Sequence, residues 1–279
     1  MRTLLLLSTT TLIACAAESP SENQTQQAAT TNNKISANKI SANKLSVNIE
    51  AAGDLLSTPD GQEVFSFLVS CALPDTVTLE ATLPDGTVLD FFGELGLAPQ
   101  WVHRPLNNDD KGWVSACMFA RVNNHDVSIP ISLRGPTHAL TADADERAGW
   151  PLEEGAFYGM LFTPDDQPIN WIACRGRDLA AQGQTGGLVD RDCAAPDPAH
   201  PGLTLCGFNW AGDCADFVIP PKNDFACEKF DSRGTFYENC LDNPGFSDRR
   251  HGRDDDNNNG CHPHQQEFQQ VITTFTTLE

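Results

Sequence analysis

The sequence predicts an α+β fold, in which a small mixed core of amphipathic helices and an antiparallel sheet precedes a disulfide-rich, loop-rich segment. Three observations predict it. Apolar residues recur at helical spacing after Thr58 and after Asn108, and at strand spacing around Thr78 to Phe92 and Ile129 to Leu133. These segments lack the regular strand-helix-strand rhythm of a parallel sheet, which argues against a doubly wound or barrel plan. Beyond residue 179 Gly, Pro, Asp and Cys dominate, and six cysteines fall between 193 and 261.

The chain begins with Arg2, the apolar run Leu4 to Leu7 and the sequence Leu12-Ile13-Ala14-Cys15. This pattern resembles the lipobox of bacterial lipoproteins, where an apolar residue, a small one and Ala or Gly precede a cysteine. The resemblance implies a signal peptide over 1–14, acylation of Cys15 (palmitate among the chains) and attachment to a membrane by a lipid anchor. Ala16 follows Cys15 instead of the Asp that retains such proteins in the inner membrane of enteric bacteria, so the outer membrane is the expected location. Whether the domain faces the periplasm or the cell surface is left open.

Residues 15–50 contain no aromatic side chain and are rich in Ser, Thr, Asn, Gln and Ala, too polar to build a core. They read as a disordered tether, and a coil of about 35 residues spans roughly 30–35 Å. Within it, Ile35-Ser36-Ala37-Asn38-Lys39 repeats as Ile40-Ser41-Ala42-Asn43-Lys44 and then as Leu45-Ser46-Val47-Asn48. The five-residue period is similar to a pentapeptide-repeat solenoid, but Lys39 and Lys44 occupy the central positions and three copies make less than one coil.

Residues 51–178 carry the expected α+β core. Thr58-Pro59-Asp60 supplies an N-cap, a first-position proline and an early acid, Val64, Phe65, Leu68, Cys71 and Ala72 share one face, and Pro74 ends the helix. Val77 to Leu83 and Thr87 to Phe92 flank Pro84-Asp85-Gly86 and read as a hairpin. Asn108-Asp109-Asp110 opens a second helix with Trp113, Ala116, Cys117 and Ala120 on one face. The alternation from Val127 to Leu133 reads as a strand that Pro130 places at a sheet edge. Phe157 to Phe162 and Ile169 to Cys174 are further strands.

Residues 179–279 read as a cysteine-rich loop segment and a polar tail, in which Val271, Ile272 and Phe275 offer at most one short strand. With Cys15 assigned to lipid, nine cysteines remain: Cys71, Cys117, Cys174, Cys193, Cys206, Cys214, Cys227, Cys240 and Cys261. In an exported chain these form disulfides, and one is odd. Cys71 and Cys117, each late on the apolar face of a helix, are expected to bridge the two helices. Short-range pairs such as Cys193 with Cys206 and Cys240 with Cys261 are options among many connectivities. The absence of close cysteine spacing argues against a zinc knuckle.

Candidate chemistry is sparse. Asp255-x-Asn257-x-Asn259-Gly260 matches the first half of a calcium loop, but Gln266 stands at its twelfth position and Glu267 falls one residue late. The expected cofactor is therefore none, with calcium at Asp255, Asn257, Asn259 and Glu267 as the alternative. His251, His262 and His264 offer imidazoles to the same region. Phe208 and Trp210, between Cys206 and Cys214, form either a stacking platform for a sugar or peptide or part of a small core. No nucleophile elbow, zinc-protease helix or phosphate loop is present. Glu153-Glu154 and Asp165-Asp166 are adjacent in sequence, which does not make them face one substrate.

The net charge of −20 and pI near 4.5 exclude a basic surface for nucleic acid. The acidity lies in the body, since residues 50–279 hold 14 basic and 36 acidic side chains. Val69-Ser70-Cys71-Ala72-Leu73-Pro74, Gly96-Leu97-Ala98-Pro99, Trp113-Val114-Ser115-Ala116-Cys117, Ile129 to Gly135 and Gly155-Ala156-Phe157-Tyr158-Gly159 together resemble uncharacterised cysteine-rich lipoproteins of the myxobacterial type. That resemblance brings no activity with it. The expected role is an anchored binding or adhesion module for a cell-wall polymer, a glycan or an envelope protein. An exported hydrolase of peptide or polysaccharide, or a purely structural envelope component, is the alternative.

Overall fold

The Thr58 side chain accepts a hydrogen bond from the Gly61 amide at 3.0 Å, satisfying one of the donors a helix leaves unpaired at its start. Helix α1 (Pro59–Ala72) follows and buries Val64, Phe65, Leu68, Val69 and Cys71. The computed structural model describes residues 30–33, 40, 55–83, 85–124, 128–163, 169–178, 191, 193, 197–199, 203–214, 226–229, 235–242 and 266–277. Among these residues no helix is long and apolar enough to cross a membrane.

After α1 the chain forms the hairpin β2 (Thr78–Thr82) and β3 (Val88–Phe92), with Thr78 opposite Phe92 and Thr82 opposite Val88. Its turn is held by the Asp85 carboxylate, which accepts from the Thr87 amide at 2.9 Å, and by Gly86 at φ 87°. Helix α2 (Asn108–Ala120) starts in a reciprocal capping box between Asn107 and Asp110, and every residue from Gly112 to Ala120 is buried. The short helix α3 (Ala144–Gly149) is capped by Asp143.

The centre of the molecule is a six-stranded sheet in the order β1-β4-β12-β5-β6-β7. Its strands are β1 (Thr30–Asn33), β4 (Ile129–Arg134), β5 (Leu152–Met160), β6 (Asn170–Arg175), β7 (Asn209–Asp213) and β12 (Ile272–Thr276). All neighbours are antiparallel except β6 and β7. Four strands of two residues, β8 (Glu228–Lys229), β9 (Tyr237–Glu238), β10 (Cys240–Leu241) and β11 (Glu267–Phe268), form two small ribbons beside it.

The two faces are sorted by strand alternation. Phe157, Trp171, Ala173, Ile131, Leu133 and Ile272 face the helices, in one core with Leu68, Val114, Phe119 and Trp101. Ala156, Tyr158, Ile172 and Cys174 face the other way, into a second core with Cys214, Cys227, Tyr237, Cys240 and Phe268. The fold is α+β with a mainly antiparallel sheet, as the sequence predicts, but the sheet is sandwiched between helices and a cysteine-rich cover.

Three placements differ from the sequence reading. Thr30–Asn33, inside the expected tether, pairs with β4 as an edge strand, and Ile40 from the repeat is fully buried in the helical core. A short polar stretch thus enters the sheet through backbone hydrogen bonds, which composition does not report. The polar tail does form the one short strand it offered, β12, and what differs is its place, buried at all five positions between β4 and β5. Thr273, Thr274 and Thr276 are apolar enough in their methyl groups, and β-branched, to fit that interior. Finally, β4 is an inner strand despite Pro130, because the β12 ladder reaches only Ser132, Leu133 and Arg134 and leaves Pro130 opposite β1 alone.

Candidate functional site

A cleft of about 460 Å³ opens where the end of α1, the end of β3 and the residues after α2 meet, lined by Ser66, Phe67, Ser70, Phe92, Gly93, Glu94, Arg121 and Ser128. Its geometry starts from a helix terminus. The last carbonyls of α1 need partners, and the amides of residues 94–98 supply them: Glu94 and Gly96 donate to Leu73, Leu95 to Ser70, Leu97 to Cys71 and Ala98 to Ala72, at 2.7–3.1 Å. Gly93 permits this approach, since a Cβ there would lie 2.2 Å from the Pro74 carbonyl oxygen. Glu94 is thereby fixed beside Ser70.

Arg121 arrives from the other helix. It follows α2 directly, is 5% exposed and lays its guanidinium 4.6 Å from the centre of the Phe67 ring. Its Nη1 donates to the Ser70 hydroxyl at 2.6 Å and its Nη2 to Glu94 Oε2 at 3.3 Å, while the Ser70 hydroxyl donates to the same Oε2 at 2.5 Å. Burial pushes the Arg121 pKa below its ordinary value and the Glu94 charge pulls it back up. The Cys71–Cys117 disulfide joins the two helices immediately beside this cluster, with Cys71 Sγ 4.0 Å from Arg121 Nη1.

The result is a carboxylate held from behind and open in front. The Glu94 side chain is 35% exposed, and both of its bonds in this cluster are made through Oε2. Phe92 stands at the rim with 65% exposure, the largest of the exposed apolar side chains among the described residues. The arrangement accepts hydrogen bonds from hydroxyl groups and offers an aromatic ring to an apolar face.

The residues singled out from sequence lie elsewhere. Phe208 is fully buried in the helical core against Phe119, Phe157 and Trp171, at 5.5–6.3 Å between ring centres, and Trp210 packs half-buried on the same cluster. They complete a core rather than a platform. Nor do Cys206 and Cys214 close one loop, since the disulfides join Cys71 to Cys117, Cys174 to Cys214, Cys193 to Cys206 and Cys227 to Cys240. Cys240 therefore takes Cys227, and not Cys261, as its partner. Cys15, Cys261, Asp255, Asn257, Asn259 and the three C-terminal histidines lie outside the described residues, while Glu267 is exposed on β11 opposite Leu241.

The adjacent acids Glu153 and Glu154 are both buried, but on opposite faces. A bulge in β5, where Thr274 pairs with Gly155 and Phe275 with Glu153, inverts the alternation at this point. Glu154 turns to the helices and binds Arg191, which is fully buried and also donates to the Ala120 carbonyl. Glu153 turns to the cysteine face, where it accepts from Lys229, the Tyr237 hydroxyl and the Arg177 amide. Each carboxylate is bound by a cation of its own, so the pair does not flank a shared substrate. No protein-family model, curated protein or solved structure matches this chain.

Proposed function

We propose that this is a lipid-anchored envelope protein whose disulfide-stabilised domain binds a hydroxyl-rich ligand, a cell-wall or cell-surface glycan, in the cleft between α1, β3 and Arg121. The single observation behind it is the Glu94 carboxylate, fixed through Oε2 by buried Arg121 and Ser70 and still 35% exposed in the lining of the cleft, beside exposed Phe92. A sugar ring presents neighbouring hydroxyl donors to a carboxylate and a C–H face to an aromatic ring. Preorganisation of the acceptor lowers the entropic cost of capture. Anchorage rests on the lipobox-like Leu12-Ile13-Ala14-Cys15, and four disulfides suit an exported chain. Because β1 starts at Thr30, only fourteen residues separate Cys15 from the sheet. The domain then sits closer to the headgroups than a 35-residue tether would hold it.

Two measurements test the proposal. Intact mass and detergent partitioning of the native protein, against a Cys15→Ser variant, give diacyl or triacyl mass and membrane association only with Cys15 present. Pull-down on peptidoglycan and surface polysaccharide with the unlipidated chain gives retention that Glu94→Gln lowers at least about tenfold, the cost of losing one charged hydrogen bond. Phe92→Ala lowers it several-fold without changing the melting temperature. Retention on none of these polymers would discard the glycan reading and leave the anchor result standing.

A further inference from the structure

The cysteine-rich face holds two disulfides that touch. Cys174, the last residue but one of β6, is bonded to Cys214 just after β7, and Cys227, just before β8, is bonded to Cys240 at the start of β10. The Sγ atoms of Cys174 and Cys227 lie 3.6 Å apart, and those of Cys174, Cys214 and Cys227 all lie within 4.8 Å of one another. Backbone hydrogen bonds hold them so: Cys214 N to Arg175 O, Cys227 N to Cys214 O and Leu241 N to Ala226 O, each 2.8 Å. Among the described residues no other bridges make such a contact. All three sulfurs are committed to disulfides, so they are not thiolate ligands for a metal.

We propose that Cys174, Cys214, Cys227 and Cys240 form one internal thiol–disulfide exchange centre, in which reduction of the outer bridge moves the inner one from Cys174–Cys214 to Cys174–Cys227. The outer bridge opens first because Cys240 belongs to a two-residue strand and Cys227 only precedes one, whereas Cys174 lies inside the six-stranded sheet. A dithiol or phosphine reductant donates two electrons to Cys227–Cys240 and leaves two thiols. The Cys227 thiolate then attacks Cys174 Sγ. The Cys174–Cys227 bond forms, the Cys174–Cys214 bond breaks, and the electron pair leaves on Cys214, which takes up the proton Cys227 released. No further electrons are needed. The product holds free Cys214 and Cys240, and the covalent staple no longer joins β6 to β7 but joins β6 to the outer layer. The device thus converts a reducing signal into release of edge strand β7.

The test uses the full chain with any native free thiols first blocked by N-ethylmaleimide. Substoichiometric phosphine, acid quenching, a second alkylating label and peptide mapping then identify which cysteines are freed. The expected result at pH 8 is label on Cys214 and Cys240 with a Cys174–Cys227 linkage in most singly reduced molecules. At pH 4, where thiolate is scarce, the label stays on Cys227 and Cys240. Label on Cys227 and Cys240 at both pH values, with Cys174–Cys214 intact, would overturn the proposal. A Cys240→Ser variant gives a second reading without any reductant: the exchange centre predicts a Cys174–Cys227 bridge and a free Cys214, and a retained Cys174–Cys214 bridge with free Cys227 counts against it.

Discussion

The two faces of the central sheet are covered in different ways. On the helical face α1 and α2, with 14 and 13 residues, satisfy most of their own backbone and present continuous apolar surfaces to Phe157, Trp171 and Ile272. Among the described residues the cysteine face has two ribbons of two-residue strands, and its core is built from Cys174, Cys214, Cys227 and Cys240 around Tyr158 and Tyr237. A strand of two residues closes too few hydrogen bonds to persist alone. Where regular structure is too short to cover a sheet, covalent bonds and buried polar anchors hold the cover. The difference teaches that bridges mean different things on the two faces: Cys71–Cys117 joins two helices already formed, whereas Cys174–Cys214 and Cys227–Cys240 hold the cysteine-rich layer itself.

The largest effect is expected where the helical face holds a charge. Arg191 binds Glu154 through two nitrogens, and Thr274 Oγ1 adds a hydrogen bond to Glu154 Oε2 at 2.7 Å. Glu154→Ala leaves a guanidinium that is fully buried without its counter-ion. It should cost about 3–5 kcal/mol in urea unfolding. Replacing both partners, Glu154→Leu with Arg191→Met, should recover most of that loss, because the pair's attraction barely exceeds the cost of burying it. A double variant as unstable as the single one would show that Arg191 matters through its bond to the Ala120 carbonyl and not through charge.

The bridges compare the faces directly. Cys71 and Cys117 are 46 residues apart, and Cys227 and Cys240 are 13 apart, so restriction of the unfolded chain stabilises by about 4 and about 3 kcal/mol respectively. Paired Cys→Ala variants, unfolded in urea, should show that order for global stability. Amide hydrogen exchange should separate them further. Without Cys227–Cys240 the amides of Cys227 and Leu241 lose protection at low denaturant, whereas without Cys71–Cys117 those within α1 and α2 stay protected until global unfolding. Equal local loss on both faces would remove the distinction.

This asymmetry was half legible in the sequence. The helical face is made of local signals: Thr58-Pro59, Asn108-Asp109-Asp110, and apolar residues at helical spacing, so α1, α2, the hairpin and the Cys71–Cys117 bridge could be read directly, though the cap of α2 falls one residue earlier, at Asn107. The cysteine face depends on pairings between distant residues, such as β12 between β4 and β5, which leave only a weak alternating pattern behind. The cleft was missed for the same reason. Ser70, Glu94 and Arg121 converge over separations of 24 to 51 residues, and the one local hint is a lone cation inside the otherwise apolar run Met118 to Val122. A charge at that place requires a partner, but the sequence does not say which acid supplies it.

The smallest effect is the most specific to the cysteine face, because both tyrosines of the chain lie there. The Tyr158 hydroxyl donates to the Leu241 carbonyl at 2.8 Å and ties β5 to β10. Burial, with the charge of Asp242 adding to it, raises its pKa above the ordinary value near 10. The folded protein therefore keeps this proton at a pH where the unfolded chain has released it. Stability from this group is complete below pH 10 and is lost as pH rises beyond it. At pH 8, Tyr158→Phe should cost about 1 kcal/mol, the worth of one hydrogen bond. By pH 11 the parent has lost about 1.4 kcal/mol that the variant never had, so the two stabilities should cross just below that pH. Urea unfolding at pH 8, 10 and 11, with thiols alkylated to prevent bridge shuffling, measures the crossing. Parallel curves would mean that the hydroxyl is solvated after local opening, and would place the ribbons of the cysteine face among the first parts of the molecule to open.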